Sequence, residues 1–179
     1  MGGTPVSMSR SQIRVYDDDV TGAAAAYVRK LENISPVANR YSVSILQDSQ
    51  LCEEVKRLSE RRKKAREGLP DLEEQGLLDQ THVFVIDYDL LDKPGRMTGA
   101  ELAYLACCYS QCKMVIVLNQ FNDPGENVFD LRLRGHFESY GDLDISDAHL
   151  VNPRFWGKAD GAFRPWRWPD LQCILKRLE

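Results

Sequence analysis

The chain has 179 residues, of which 43% are hydrophobic and 28% charged, and a formal net charge of −4. This length supports one sizeable core and excludes two separate domains without clear linkers. The acidic balance excludes a bulk electrostatic attraction to nucleic acid or to an anionic membrane, and no apolar run approaches the roughly 20 residues that a membrane span requires.

The first half of the chain predicts two strand and helix units. Residues 13–19, IRVYDDD, predict a short buried strand that ends in three acids. The Ala-rich segment that follows predicts a helix with Asp19 or Thr21 as its N-cap. Residues 41–46, YSVSIL, predict a second strand, and Asp48 and Ser49 are candidate caps for a charged helix that runs to about Arg66. The basic cluster of that helix is interpreted as a solvated face.

The second half predicts two further units. HVFVID, residues 82–87, is the clearest strand, since its apolar run is typical of a strand covered on both faces. The helix AELAYLACCYSQ carries Cys107 and Cys108, and these two and the following Cys112 are interpreted as small buried hydrophobes; Met114–Leu118 predicts another buried strand. With a weak edge strand at residues 142–145, the pattern predicts an α/β fold. We expect a doubly wound, mainly parallel, five-stranded sheet of the flavodoxin-like type, with helices on both faces.

We expect three regions: a flexible leader at 1–12, an α/β domain at 13–152, and an irregular aromatic and basic extension at 153–179. The leader lacks a signal peptide's hydrophobic segment, and the five cysteines form no disulfide framework, so we expect a cytoplasmic protein. The rings of the extension predict either a partner-binding surface or a cover for the sheet. The acidic charge favours a protein partner, which includes a second copy of the chain, over nucleic acid. The candidate partner-binding residues are Trp156, Arg164, Trp166 and Trp168.

Acidic residues follow two of the predicted strands. Asp17 and Asp18 come after the first strand, and Asp87 ends the strand HVFVID. In an open parallel sheet, ligands collect at the carboxyl ends of the strands. If the two strands are neighbours, the three carboxylates converge and require a cation, and Mg²⁺ suits an all-oxygen set best. The alternative is that these acids are loop residues that cap the following helices.

The segments IRVYDDD and VFVIDYDLLDKPGRMTGAELAYL resemble the receiver domains of two-component response regulators, and the resemblance covers about residues 13–118. It implies that Asp17 and Asp18 are the acidic pair that binds Mg²⁺ and that Asp87 is the phosphoacceptor. It also implies that the backbone carbonyl of Asp89 completes the metal site.

Two positions depart from the receiver pattern. Asn119 stands where receivers place a Ser or Thr after the fourth strand, and Asn152 stands nearest to the position of the usual lysine after the fifth. Within the receiver resemblance, two functions stay open. One is a stand-alone signalling domain that a kinase phosphorylates at Asp87 and that docks onto effector proteins. The other is a degenerate receiver that binds partners without phosphorylation.

The segment TGAELAYLACCYSQCKMVIVL is also similar to the nucleophile helix of nucleoside 2-deoxyribosyltransferases and related N-glycosidases. That resemblance implies an enzyme with Glu101 as the nucleophile and with Asp87 or Asp89 as a sugar-binding acid. The alternative for Glu101 is a first-turn glutamate that the helix dipole favours. The receiver resemblance implies a phosphoacceptor or adaptor rather than an enzyme.

Overall fold

The computed structural model describes residues 10–71, 74–88, 90, 97–118, 129–130 and 142–156. Six strands form one sheet: β1 (Ser11–Tyr16), β2 (Tyr41–Ile45), β3 (Val83–Asp87), β4 (Met114–Leu118), β5 (Phe129–Asp130) and β6 (Leu143–Ile145). The helices are α1 (Ala25–Glu32), α2 (Ser35–Arg40), α3 (Asp48–Arg66), α4 (Gly99–Tyr109), α5 (Asp147–Leu150) and α6 (Pro153–Trp156). A turn of π-helix, Val20–Ala24, leads into α1. None of the helices in these ranges is long and apolar enough to span a membrane.

The strands lie in the order β2-β1-β3-β4-β6-β5. All neighbouring pairs are parallel except β5 with β6, which is antiparallel. The predicted α/β class is confirmed. The sheet has six strands in the described chain rather than five, because the two-residue β5 extends it beyond β6. That placement also makes β6 an internal strand, where the sequence predicted an edge.

Side chains alternate between the two faces of the sheet and feed a core on each face. One core receives Val15 and Val85 and is covered by α1, α2, α5 and α6. The other receives Phe84 and Ile86 and is covered by α3 and α4. The long apolar run of β3 is explained by this arrangement, since all five of its residues are buried.

Trp156 belongs to the core and not to a partner-binding surface, which corrects the prediction made from the sequence. It is 1% exposed, and its indole Nε1 donates a hydrogen bond of 2.7 Å to the carbonyl of Leu150. Its ring packs edge-on against Tyr41 and Phe155. A buried tryptophan usually pairs its N–H in this way. The ring therefore stabilises the fold, and the core extends past residue 152.

A buried charge network fastens α3 to the segment that precedes β3. Arg61 donates to the fully buried carboxylate of Asp79 at 2.7 Å, and Arg57 pairs with the same carboxylate at 3.3 Å. Glu54 accepts from the backbone N–H groups of Leu77 and Leu78 at 2.9 and 3.1 Å. Two cations and two anions thus balance each other inside the protein, where an unpaired charge would be costly.

We predict that Asp79→Asn destabilises the protein by about 3 kcal/mol or more, because it leaves two buried guanidinium groups facing a neutral amide. Asp71→Asn is the matched control, since Asp71 also pairs with Arg61, at 3.2 Å, but is largely exposed. That change is expected to cost less than about 1 kcal/mol. Urea unfolding of both variants measures the difference. Equal losses would show that burial does not determine the strength of this network.

Candidate functional site

The parallel pairing of β1 with β3 brings two acids to matched positions. Tyr16, the last residue of β1, pairs with Ile86; Asp17 directly follows Tyr16, and Asp87 is the last residue of β3. Successive side chains alternate, which sends both acids toward the face that α1 covers. Asp18 lines a cleft with Gln47 and Asp48, and its side chain also hydrogen-bonds to that of Asp17. The structure therefore places Asp18 against Asp17, and Asp17 and Asp87 both act electrostatically on Tyr27 of α1.

Asp17 is a buried acid whose surroundings favour its neutral form. It is 3% exposed and accepts a hydrogen bond of 2.8 Å from the backbone N–H of Asp19. Burial raises the pKa of Asp17 above its ordinary value of 3.8, and the neighbouring Asp18 adds to the increase by its charge and by a side-chain hydrogen bond. A cation close to Asp17 would reverse this preference.

Asp19 has a different role from the two acids before it. Its carboxylate accepts hydrogen bonds from the backbone N–H groups of Gly22 and Ala23, at 3.0 and 3.1 Å. It is the N-cap of the helical segment, which the sequence left open between Asp19 and Thr21. A side chain at Gly22 would overlap the Asp19 carboxylate, so the glycine is required for this cap. Asp19 is therefore a capping residue.

Asp87 is held at the junction of β3 and α4. It is 6% exposed, and the following residue, Tyr88, donates its backbone N–H to the carbonyl of Leu118 at 2.9 Å. A Cβ atom at Gly99, the first residue of α4, would lie 2.0 Å from the backbone oxygen of Asp87. Only glycine permits α4 to begin this close to the strand. The backbone position of Asp87 is thus fixed from both sides.

Tyr27 of α1 is the site residue that the sequence interpretation missed. Burial, together with the negative charges of Asp147, Asp17 and Asp87, raises its pKa to about 12. Three carboxylates from the ends of three strands therefore act on one phenol. The available signal was the helical spacing of Tyr27 and Leu31, which places the tyrosine on the buried face of α1 and close to the strand ends.

Asp18 lies in a cleft between the loops that follow β1 and β2. The cleft has a volume of about 580 Å³, and its walls include Thr21, Gln47 and Asp48. Beside it, the hydroxyl of the buried Tyr16 donates to Asp48 at 3.2 Å. Burial is the largest cause that raises the pKa of Tyr16, and the negative charge of Asp48 is the next largest. This part of the edge is polar and acidic.

Glu101 forms a capping box at the start of α4. Its carboxylate accepts from the backbone N–H of Thr98 at 2.9 Å, and the Thr98 hydroxyl accepts from the backbone N–H of Glu101 at 3.2 Å. The side chain is exposed. This geometry gives Glu101 the structural role that the sequence interpretation set against catalysis.

The positions that depart from the receiver pattern are placed as follows. Asn152 is exposed and lies beyond α5, and the residue that directly follows β6 is Ser146. The Ser146 hydroxyl is 2.7 Å from Nδ1 of His149, and burial lowers the pKa of that histidine. Five predicted residues lie outside the described residues. They are Asp89, Asn119, Arg164, Trp166 and Trp168.

Comparison with models of protein families, with curated proteins and with solved structures found no match for this chain. The chemistry of the site therefore follows from its own residues. Asp17 and Asp87 supply buried carboxylate oxygens that suit a hard cation, and Asp87 can also act as a nucleophile. Within the described ranges, no group of three or more His, Cys, Asp or Glu residues is arranged to enclose a metal ion.

We predict that Asp17→Asn makes the protein more stable at neutral pH in buffer with a chelator. The raised pKa means that the folded state binds the proton more tightly than the unfolded state does. Stability from Asp17 is therefore present at low pH and lost as the pH rises above about 3.8 through the folded pKa. The amide removes this loss, so the advantage of the variant shrinks toward acidic pH.

Urea unfolding across pH measures this effect, with Glu32→Gln as the control that removes one exposed acid from α1. A variant less stable than wild type at neutral pH would mean that the Asp17 carboxylate has a stabilising partner in the folded protein.

We predict that Glu101→Ala lowers the free energy of unfolding by about 0.5–1 kcal/mol, because it removes half of the capping box. Glu101→Gln is the matched control and is expected to change stability little, since its amide oxygen can accept the same hydrogen bond. Urea unfolding gives both values. Release of free base from nucleosides by wild type, lost in a stable Glu101→Gln variant, would show that Glu101 is catalytic and that capping is not its main role.

Proposed function

We propose that the chain is a receiver-like signalling domain that binds Mg²⁺ at the ends of β1 and β3, accepts a phosphoryl group on Asp87 and docks onto partner proteins. The observation that carries this proposal is that two buried acids, Asp17 and Asp87, directly follow the paired residues Tyr16 and Ile86 of neighbouring parallel strands. The strand order supports a doubly wound sheet, because the direction of strand succession reverses between β1 and β3. Such a reversal is where doubly wound proteins bind ligands.

The donor set fits Mg²⁺ by its chemistry. This ion usually retains several waters and takes only one or two carboxylates from the protein, so a closed cage of side chains is not needed. Asp17 and Asp87 would hold it, with Asp18 on the adjoining side. When bound, the ion neutralises the carboxylates and the oxygens of an incoming phosphoryl group. The raised pKa of Asp17 supports a site that favours a cation.

Asp87 is the proposed nucleophile. One of its carboxylate oxygens attacks the phosphorus of a small phosphodonor, and the bond from phosphorus to the leaving group breaks with its electron pair on that group. The product is an acyl phosphate on Asp87. The contact with Gly99 holds the backbone of the nucleophile in place while the bond forms.

A second candidate function is an interaction module that works without phosphorylation. The segment after β6 favours it, since that segment begins with Ser146 and Asp147, an acid in the region where receivers carry a lysine. Asp147 adds negative charge near the same phenol that Asp17 and Asp87 affect. A cytoplasmic location is part of both proposals. The described cysteines are free thiols, which supports a reducing compartment.

We predict that wild type gains the mass of one phosphoryl group when it is incubated with Mg²⁺ and acetyl phosphate. Asp87→Asn is expected to gain none, because an amide oxygen is a poor nucleophile. Asp147→Asn is the matched control, since Asp147 also affects Tyr27 but is exposed and follows β6, and it is expected to be labelled. Intact-protein mass spectrometry reads all three proteins.

Thermal unfolding with increasing Mg²⁺ separates the two candidates. Binding to the folded state raises the melting temperature, and Asp17→Asn is expected to weaken that rise. A melting temperature that responds to Mg²⁺ without any labelling of wild type would favour the interaction module. No labelling and no response to Mg²⁺ would refute the cation site and the phosphoacceptor together.

A further inference from the structure

Ser146 and His149 form a close polar pair directly after β6. The Ser146 hydroxyl lies 2.7 Å from Nδ1 of the His149 ring. Both residues are half-buried, so the protein holds them and solvent still reaches them. β6 lies between β4 and β5 in the sheet and runs parallel to β4. Because ligands of open parallel sheets collect outside the carboxyl ends of the strands, the pair lies where a ligand is expected.

The Ser146 hydroxyl does not cap the helix that it precedes. Ser146 is the N-cap of α5, and a serine in this position usually accepts a hydrogen bond from a backbone N–H of the first turn. Its side chain makes no such hydrogen bond in the described segment 146–150. The hydroxyl is directed at the imidazole ring instead. Helix capping therefore does not explain the contact between these two side chains.

Backbone contacts fix the relative position of the pair. The carbonyl of Ser146 accepts from the backbone N–H groups of His149 and Leu150, at 3.0 and 3.2 Å. Ile145, which precedes the pair, and Leu150, which follows it, are both buried in the core. The two polar residues are therefore anchored from both sides. A pair that is held in its reactive geometry loses little conformational freedom in the reaction.

His149 has the properties of a general base at neutral pH. Burial lowers the pKa of His149 below its ordinary value of 6.5, and the negative charge of Asp147 opposes only part of this effect. The ring is therefore mainly neutral at pH 7. With its proton on Nε2, the ring accepts the hydroxyl proton of Ser146 at Nδ1. A serine hydroxyl becomes a strong nucleophile when a neighbouring base takes its proton in this way.

We propose that Ser146 and His149 are a nucleophile and a general base that together cleave small carboxylic esters. Oγ of Ser146 attacks the carbonyl carbon of the ester, while its proton passes to Nδ1 of His149. The bond from that carbon to the alcohol oxygen breaks, and the alcohol leaves with the proton from His149. Water then cleaves the acyl–serine ester by the same route, which releases the carboxylic acid and restores both residues.

The charges near the pair favour a neutral or cationic ester over a phosphate ester. Asp147 is exposed and directly follows Ser146, and it acts on Tyr27 together with Asp17 and Asp87. These carboxylates repel an anionic substrate and do not repel a neutral one. No step uses Mg²⁺ or the carboxylate of Asp87. The ester-cleaving pair is therefore independent of the proposed phosphoacceptor.

The test uses the full chain in buffer with a chelator. A fluorophosphonate probe, whose fluoride an activated serine displaces, is expected to add a single label that peptide mass spectrometry maps to Ser146. With p-nitrophenyl acetate, we expect a stoichiometric burst of nitrophenolate followed by slower turnover. Ser146→Ala is expected to abolish the label and the burst. His149→Gln is expected to slow both reactions about 100-fold or more, because the hydroxyl loses its base.

Two matched controls separate the pair from ordinary surface chemistry. His82→Gln removes another half-buried histidine, whose Nδ1 accepts from the backbone N–H of Gln12 at 3.3 Å, and is expected to leave both rates unchanged. Ser110→Ala removes a serine whose hydroxyl donates to the carbonyl of Ala106, and is expected to keep the label. Urea unfolding checks that each variant is folded. Asp87→Asn is expected to react as wild type does, so failure of the phosphoacceptor proposal and failure of this one are distinguishable.

Four results would overturn the ester-cleaving pair. These are a wild type with neither label nor burst, a label that maps to another residue, a burst that persists in Ser146→Ala, and equal rates for His149→Gln and wild type. Mapping of the label in wild type requires no variant to fold. The proposal therefore stays open to refutation even if Ser146→Ala is unstable.

Discussion

The register between β1 and β3 is the constraint on which the site depends. Asp87 ends β3, Asp17 directly follows the paired residue Tyr16 of β1, and both acids act electrostatically on Tyr27 of α1. A shift of one residue in either strand would send one carboxylate to the other core and separate the pair. The buried apolar residues behind Asp17 and Asp87 prevent such a shift, because the same movement would expose or misplace every side chain of a fully buried strand. Packing of the core thus fixes the chemistry at the edge.

Among the described residues, buried charge is balanced by ion pairs at one end of the sheet and is not balanced in this way for Asp17 at the other end. At the amino end of β3, the buried carboxylate of Asp79 pairs with the guanidinium groups of Arg57 and Arg61, so its charge is balanced. At the carboxyl ends of β1 and β3, burial raises the pKa of Asp17, and its nearest acidic neighbours increase the effect. The first arrangement stabilises the fold by itself. The second lowers stability at neutral pH, and buried acids with a raised pKa are found more often at functional sites.

The sequence predicted the elements whose patterns are long and consistent. The apolar strand β4 has the predicted bounds and the charged helix α3 ends where predicted, because a run of buried residues and a long helix give strong signals. The start of α3 differs, since Gln47 is its N-cap and the candidate caps Asp48 and Ser49 lie inside the helix. The short elements α2, α5, α6 and β5 were not predicted, since each is held by tertiary contacts. Trp156 shows the same limit, because its burial depends on Tyr41 and Leu150, distant in sequence or in another element. Tyr27 was missed since its neighbours come from three separate strand ends.

Helix α4 connects the carboxylate edge with the buried charge network around Arg61. Its first residue, Gly99, contacts the backbone of Asp87, and the carbonyl of its last residue, Tyr109, accepts a hydrogen bond from Arg61 at 3.0 Å. Coupling requires an element with two positions that both sites bias. The start of α4 packs directly against the end of β3 at Gly99, so a displacement of α4 there would break this contact. A response to charge at Asp87 is therefore expected through Tyr27 and Asp147, whose elements α1 and α5 lie on the other face.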